Sequence, residues 1–323
     1  MKEAICAFLF ILVMLGSPLS FSEDSKPVVR SWYSENMLLE YRDELKTLKG
    51  DSGDSSGCNE TYRKIYSRDA LDVRIFFGYL NDEADPGKPA SDLVSDGYFK
   101  SRFIQLLMEP CEENLFACGF ALNDDHMPVG LELLESVVLS KQITGPDQKP
   151  IQVSVSLESS SVSESDHDNR HKLGSEQKNQ TGKISKDFVR ALNEADVVLY
   201  TGHSRTGTGP GFKPITPISL SGLEAWLFKP SRHKMLRALE NATHRPALLG
   251  IYSCSSDHYY REHLEEAAPE TSLVLTTESL TALEEAHASM LGTLNSIFGL
   301  KCEADFKQSL HQSVLYGLFP EHE

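Results

Sequence analysis

The sequence lacks several features that define whole classes of protein. None of its 323 residues lies in a segment that stays apolar over the roughly 20 residues of a membrane-spanning helix. Basic residues are too few for a positive charge, since 31 Lys and Arg against 47 Asp and Glu give a net charge of −16. Such an acidic chain is repelled by phosphate backbones and anionic lipids, so we expect no nucleic-acid partner and no stable membrane insertion. A Gly-Lys-Ser/Thr phosphate loop and metal-ligand spacing are also missing, so we expect neither a cofactor nor a metal.

The first 22 residues are typical of a secretory signal peptide. Lys2 precedes a short apolar run, Ala4–Leu15. Small residues at Ser20 and Ser22 then fit the −3 and −1 positions of a cleavage site before Glu23. We therefore expect export to the periplasm or the medium, with an uncleaved membrane anchor as the alternative.

Five cysteines follow this segment, and an odd number leaves one unpaired in an oxidising compartment. Cys111 and Cys118 flank a short polar stretch and are expected to close a small disulfide loop. Cys58 and Cys302 can then tie the N-terminal extension to the C-terminal region, although four cysteines allow three pairings. This choice leaves Cys254 as a thiol at the end of an apolar run.

The mature chain divides into an N-terminal extension, 23–70, and an α/β domain, 71–323. A helix at 31–49 and a Gly/Ser/Asp-rich loop are expected in the extension. The domain alternates short apolar strands with helices, which predicts a doubly wound, mostly parallel sheet with helices on both faces. Residues 158–182 are almost devoid of apolar side chains, so we expect a long exposed or disordered insert there, suited to a processing site.

Several elements of the domain follow from apolar patterns. Buried strands are predicted at Val197–Tyr200, Ala247–Tyr252 and Ser272–Thr276. A further strand is predicted at Leu115–Leu122, and a C-terminal helix at Ala304–Leu318.

Two consecutive predicted strands end in reactive side chains. Asp196–His203 brings an imidazole to the end of one strand, and Pro246–Cys254 brings a thiol to the end of the next. Functional groups of open α/β sheets collect past the carboxyl ends of the strands, so His203 and Cys254 are expected to be neighbours. A thiolate is a nucleophile, and an adjacent imidazole can take its proton and then protonate a leaving amine. The alternative is a core histidine beside a small buried hydrophobe.

The segment Lys183–Thr276 resembles the caspase-like cysteine peptidases (caspases, legumains, gingipains, clostripain and separases). Their pattern is a strand ending in His and a small residue, followed by a second strand ending in a small residue and Cys. The separation of His203 and Cys254 is 254 − 203 = 51 residues, close to the spacing in caspases. The segment around Cys254, Tyr-Ser-Cys-Ser-Ser, is similar to that of separases. The resemblance implies a caspase–haemoglobinase-like three-layer sandwich, a peptide or protein substrate, and an oxyanion hole built from the N–H groups of Ser204 and Cys254.

The chain departs from the family in ways that bear on specificity. Many members have Gly after the histidine, whereas this chain has Ser204, whose N–H can still donate. A Gln-Ala-Cys-x-Gly signature is absent, so specificity for Asp at P1 is not implied. Gly202 and Asp257 complete the candidate oxyanion and substrate-binding set. Asp257, three residues past Cys254, could attract a basic P1 side chain or cap a helix.

Two other functions fit parts of the pattern. Residues 202–206 partly match the Gly-x-Ser-x-Gly elbow of serine hydrolases, with Ser204 as nucleophile. Thr206 stands where the elbow needs a small residue, and a Gly/Pro-rich loop follows instead of a helix. A catalytically inactive, caspase-like binding module is the other alternative.

Overall fold

A computed structural model describes residues 28–48, 62–81, 96–123, 136–205, 207–214, 230–277, 283–310 and 314–316. The helices are α1 (Val28–Thr47), α2 (Asp96–Met108), α3 (Asp166–Arg170), α4 (Gly174–Glu194), α5 (Pro230–Glu240), α6 (Ser256–Ala267), α7 (Leu283–Phe298) and α8 (Glu303–Gln308). The strands are β1 (Ala70–Phe77), β2 (Ala121–Leu122), β3 (Val137–Thr144), β4 (Pro150–Ser159), β5 (Val197–Thr201), β6 (Leu248–Tyr252), β7 (Ser272–Thr276) and β8 (Val314–Tyr316).

The eight strands form one sheet in the order β2-β3-β4-β1-β5-β6-β7-β8. The five central strands run parallel to one another, in the order β4, β1, β5, β6 and β7. Strands β2, β3 and β8 pair antiparallel at the two sides. The prediction of a mostly parallel α/β sheet is thus confirmed, and the architecture is consistent with a caspase-like three-layer sandwich, among other α/β folds.

Helices cover both faces of the sheet because its central strands are apolar on both sides. Along β5, Val197 and Leu199 pack with α7, whereas Val198 and Tyr200 belong to the opposite cluster, which α4, α5 and α6 complete. Every residue of β5 and β6 is consequently buried. Burial on both faces explains why these strands read as continuous apolar runs.

The described part of the N-terminal extension shares the core of the α/β domain. Leu38 and Leu45 of α1 belong to the same hydrophobic cluster as α7. Tyr62 and Tyr66 donate hydrogen bonds to carbonyl oxygens of α7, and the Tyr66 bond to Ile297 O measures 2.9 Å. Residues 38–48 and 62–66 are therefore part of the domain's packing.

The prediction of an exposed or disordered insert at 158–182 is wrong. The segment contains the end of β4, helix α3 and the first part of α4, and residues 158–161 are buried. Its polar groups bond to one another: the Gln177 side-chain amide donates to Ser160 O at 2.8 Å, and Gln180 donates to Ser159 O at 2.8 Å. Buried polar groups that are hydrogen-bonded can form the interior, so polarity here did not mean exposure. The hypothesis of a processing site there loses the disordered insert on which it was based.

Two further element predictions differ from the structure. A strand was expected at Leu115–Leu122, but only Ala121–Leu122 forms one. The residues before it lie in a loop that is closed by a disulfide, and Phe116 N–H donates to the Asn295 side chain at 2.6 Å. The helix expected at Ala304–Leu318 ends at Gln308, and β8 pairs with the outer edge of β7.

Some predictions fall outside the described residues, namely the signal peptide at 1–22, the Gly/Ser/Asp-rich loop and Cys58. Among the helices of the described ranges, none combines the length and apolar character needed to cross a membrane.

Candidate functional site

The pairing of β5 with β6 brings the ends of the two strands that precede His203 and Cys254 to the same edge of the sheet. The parallel register pairs Thr201 with Tyr252, an offset of 51 residues. His203 lies two residues past Thr201, and Cys254 lies two residues past Tyr252. Gly202 N–H donates to Tyr252 O at 3.3 Å, so the two chains stay paired one residue beyond the end of β5. Both candidate residues therefore follow paired strands at the carboxyl edge, with the same offset as the register.

Cys254 is the free cysteine of the described residues. Cys111 and Cys118 are joined by a disulfide, the pairing that their spacing suggested. Cys302 is also disulfide-bonded, to a residue outside the described ranges. His203 and Cys254 are both half-buried, so each is held by its surroundings and still open to solvent.

A tight turn presents Cys254 between β6 and α6. Ser255 follows with a left-handed backbone (φ 51°, ψ 36°), and α6 begins at Ser256. Residues other than Gly in this conformation cost on the order of 1–3 kcal/mol and are concentrated at functional sites. The turn is fixed because the Ser256 hydroxyl donates to Ile251 O at 2.6 Å and accepts from Thr276 N–H at 2.8 Å.

His203 leaves β5 through a turn that requires glycine. Gly202 has φ +149°, and a Cβ there would lie 2.6 Å from Tyr200 Oη and 3.0 Å from Gly78 Cα. Its N–H is already bonded to Tyr252 O. Gly202 therefore shapes the turn through its backbone, and its N–H is already engaged within the sheet.

Two backbone donors flank the dyad. Ser204 is 4% exposed, yet no hydrogen bond from its N–H is formed with any residue of the described ranges. The same holds for the N–H of Cys254. An oxyanion hole requires two N–H donors beside the nucleophile, and these two N–H groups are the candidates for it.

Asp257 lies in the first turn of α6, where an acidic side chain stabilises the helix dipole. The N-cap is Ser255, so the alternative assignment of Asp257 as N-cap is wrong. Its carboxylate forms an ion pair with Arg261 one turn later. A basic substrate side chain would have to compete with this partner.

The structure gives Ser204 the surroundings of a backbone element instead of those of a serine nucleophile. The residue is buried, and its carbonyl accepts from Gly207 N–H at 3.0 Å and from the Tyr260 hydroxyl at 3.0 Å. Within 205 and 207–214 the chain forms turns and loop, without the helix that a nucleophile elbow needs.

Two tyrosines that hold this region escaped the sequence analysis. Tyr200 Oη donates to His203 O at 3.0 Å, and Tyr260 Oη donates to Ser204 O. Burial raises the pKa of Tyr260, so its hydroxyl stays protonated as a donor. The sequence offers one signal for Tyr200, which is a tyrosine within a strand predicted to be fully buried. A buried hydroxyl needs a hydrogen-bond partner.

No protein-family model matches this chain, and no match exists among curated proteins or solved structures. In the described ranges no group of three His, Cys, Asp or Glu side chains is placed to hold a metal ion.

Proposed function

We propose that this protein is an exported cysteine endopeptidase that cleaves peptide or protein substrates with the His203/Cys254 dyad. The observation that carries the proposal is the β5–β6 register, which has the same offset of 51 residues as the two side chains. A core histidine and an unrelated buried cysteine have no reason to share a register. Within the described ranges the N–H groups of Ser204 and Cys254 have no hydrogen-bond partner, which is independent support.

The dyad provides acyl transfer in two steps. The His203 imidazole takes the Cys254 proton, and the thiolate attacks the substrate carbonyl carbon. The resulting oxyanion accepts hydrogen bonds from the N–H groups of Ser204 and Cys254. The C–N bond breaks as the imidazolium protonates the leaving amine, which leaves a thioester on Cys254. His203 then removes a proton from water, and the resulting hydroxide attacks the thioester carbonyl. The C–S bond breaks, which releases the acid product and the Cys254 thiolate, and the imidazolium returns its proton to that thiolate.

The export part of the proposal is supported by composition and cysteine pairing. The Cys111–Cys118 disulfide is compatible with an oxidising compartment, where such bonds persist. Fractionating a producing cell and sequencing the N-terminus of the mature protein tests this part, and cleavage before Glu23 is the expected result.

A peptide-library cleavage profile tests the activity. Purified wild type should cleave a subset of the library, and Cys254→Ala and His203→Ala should each abolish cleavage. His233→Ala is the control, because His233 is an exposed histidine on α5. Loss of cleavage in Ser204→Ala with full activity in Cys254→Ala would instead establish a serine hydrolase. A folded wild type that cleaves nothing would support an inactive binding module.

A further inference from the structure

The backbone that follows His203 is held by two tyrosine hydroxyls in the same way. Tyr200 Oη accepts from Gly211 N–H at 2.8 Å and donates to His203 O at 3.0 Å. Tyr260 Oη donates to Ser204 O at 3.0 Å. The Tyr200 hydroxyl thus connects one carbonyl of the site to the glycine-rich loop, and the Tyr260 hydroxyl connects the next carbonyl to α6.

These bonds fix two consecutive peptide planes. A trans peptide is planar, and its C=O and N–H point in opposite directions. The plane that carries His203 O also carries Ser204 N–H, so the Tyr200 bond sets the direction of that N–H. The next plane is held by Tyr260, so neither plane can rotate about Ser204 without losing a buried hydrogen bond.

The Tyr200 bond also determines the face of the sheet toward which the Ser204 N–H points. Tyr200 lies in the cluster on the α4 face, with Phe188 and Phe212 around its ring. His203 O points to that face, so Ser204 N–H points to the opposite one. Along β6, Tyr252 packs on that opposite, α7 face, and Cys254 follows two residues later, in the turn that leads to α6.

We propose that Tyr200 and Tyr260 are positioning residues that hold Ser204 N–H in place as an oxyanion donor. The inference depends on the proposed function, because the donor has a role only if Cys254 attacks a carbonyl. It adds two residues that never touch the substrate and act through the backbone.

Acylation and alkylation of Cys254 separate this role from a general structural one. With p-nitrophenyl acetate, sulfur adds to the carbonyl, the thiol proton passes to His203, and the C–O bond to p-nitrophenolate breaks. That reaction passes through an oxyanion, whereas alkylation by iodoacetamide displaces iodide without one. Only acylation should therefore respond to the orientation of Ser204 N–H.

Both rates should be measured in wild type, Tyr200→Phe, Tyr260→Phe and His203→Ala. We expect Tyr200→Phe to lower the acylation rate roughly 10- to 100-fold, since loss of one oxyanion donor costs about 100- to 1,000-fold and the N–H here is displaced but still present. Its alkylation rate should match wild type. Tyr66→Phe is the matched control, because it removes a buried hydroxyl that donates to the carbonyl of Ile297 in α7, and both rates should stay unchanged.

Equal acylation in Tyr200→Phe and wild type would overturn the inference, as would a parallel loss of acylation and alkylation. If Tyr200→Phe does not fold, Tyr260→Phe decides by the same criteria. A wild type without His203-dependent alkylation and without acylation overturns the proposed function and this inference together. A reactive wild type with an unaffected Tyr200→Phe overturns the inference alone.

Discussion

Asp96 should make the stability of the protein depend on pH near 6. This carboxylate is fully buried at the start of α2. It accepts backbone N–H bonds from Ser160 at 2.7 Å and from Ser161 at 2.8 Å, and the hydroxyls of both serines donate as well. The bonds tie α2 to the chain just past β4. Asp96→Asn keeps the shape but removes the titration.

Burial and hydrogen bonding oppose each other at this carboxyl group. Four donors favour the ionised form, whereas burial disfavours it. Burial is the larger effect and raises the pKa of Asp96 from 3.8 to about 6. The folded state therefore holds a proton that the unfolded chain has released, so stability is greatest below pH ~4 and falls as the pH rises to ~6. The difference between the two pKa values corresponds to about 3 kcal/mol in the free energy of unfolding. The protein should lose about 2 kcal/mol of this stability between pH 4 and pH 8.

Urea unfolding of wild type and Asp96→Asn between pH 4 and pH 8 measures this effect. Subtracting the two free energies of unfolding cancels other buried carboxyls whose pKa is raised, such as Glu158 and Asp196. The wild-type advantage should shrink by about 2 kcal/mol as the pH rises. An advantage that grows with pH would show that the four donors outweigh burial, and the reasoning would be refuted.

Two other substitutions test the turn and the disulfide. Gly202→Ala should destabilise the protein on the order of 3 kcal/mol, because the new Cβ meets Tyr200 Oη and Gly78 at a positive φ. Gly182→Ala on α4 is the control, because nothing lies within 4 Å of the new Cβ. It should be neutral or stabilise the protein by up to about 1 kcal/mol. Similar thermal midpoints for both would contradict the account of the turn. The double substitution Cys111→Ala and Cys118→Ala removes a disulfide between residues with a sequence separation of 7. It should lower the free energy of chemical unfolding by about 2 kcal/mol. An unchanged unfolding midpoint would show that the hydrogen bonds from Lys141 to Cys118 O and Phe116 O are sufficient to hold the loop.

The sheet was predictable where local pattern and burial agree. Strands β5, β6 and β7 are apolar runs because both faces are covered, and helices separate them, so their existence and parallel direction follow from the sequence. The order of the strands does not. Strand β1 lies between β4 and β5, far from them in sequence, and no local pattern specifies that placement.

Residues 158–182 show where composition misleads. Their low apolar content suggested exposure, but Asp96 and the glutamine side chains of α4 provide partners for the buried polar groups. Asp96 lies more than 60 residues from Ser160 in the chain, so the partnership is visible only in three dimensions. The prediction of a helix through the C-terminal residues is wrong for a related reason. Val314–Tyr316 forms a strand because it pairs with β7, a partner that is distant in sequence.

The two residues of the candidate dyad could be predicted from the sequence, but the side chains that hold the backbone around them could not. His203 and Cys254 follow apolar strands at a recognisable spacing. Tyr200 and Tyr260 are ordinary core aromatics by pattern, and their hydroxyls gain a role only because the chain at His203 and Ser204 folds back on them.

The rate at which iodoacetamide labels Cys254 near neutral pH tests the central claim most directly. Fast labelling in wild type that slows in His203→Ala, with His233→Ala unchanged, is the predicted result, because the imidazole generates the thiolate. Equally slow labelling in wild type and His203→Ala would contradict the dyad.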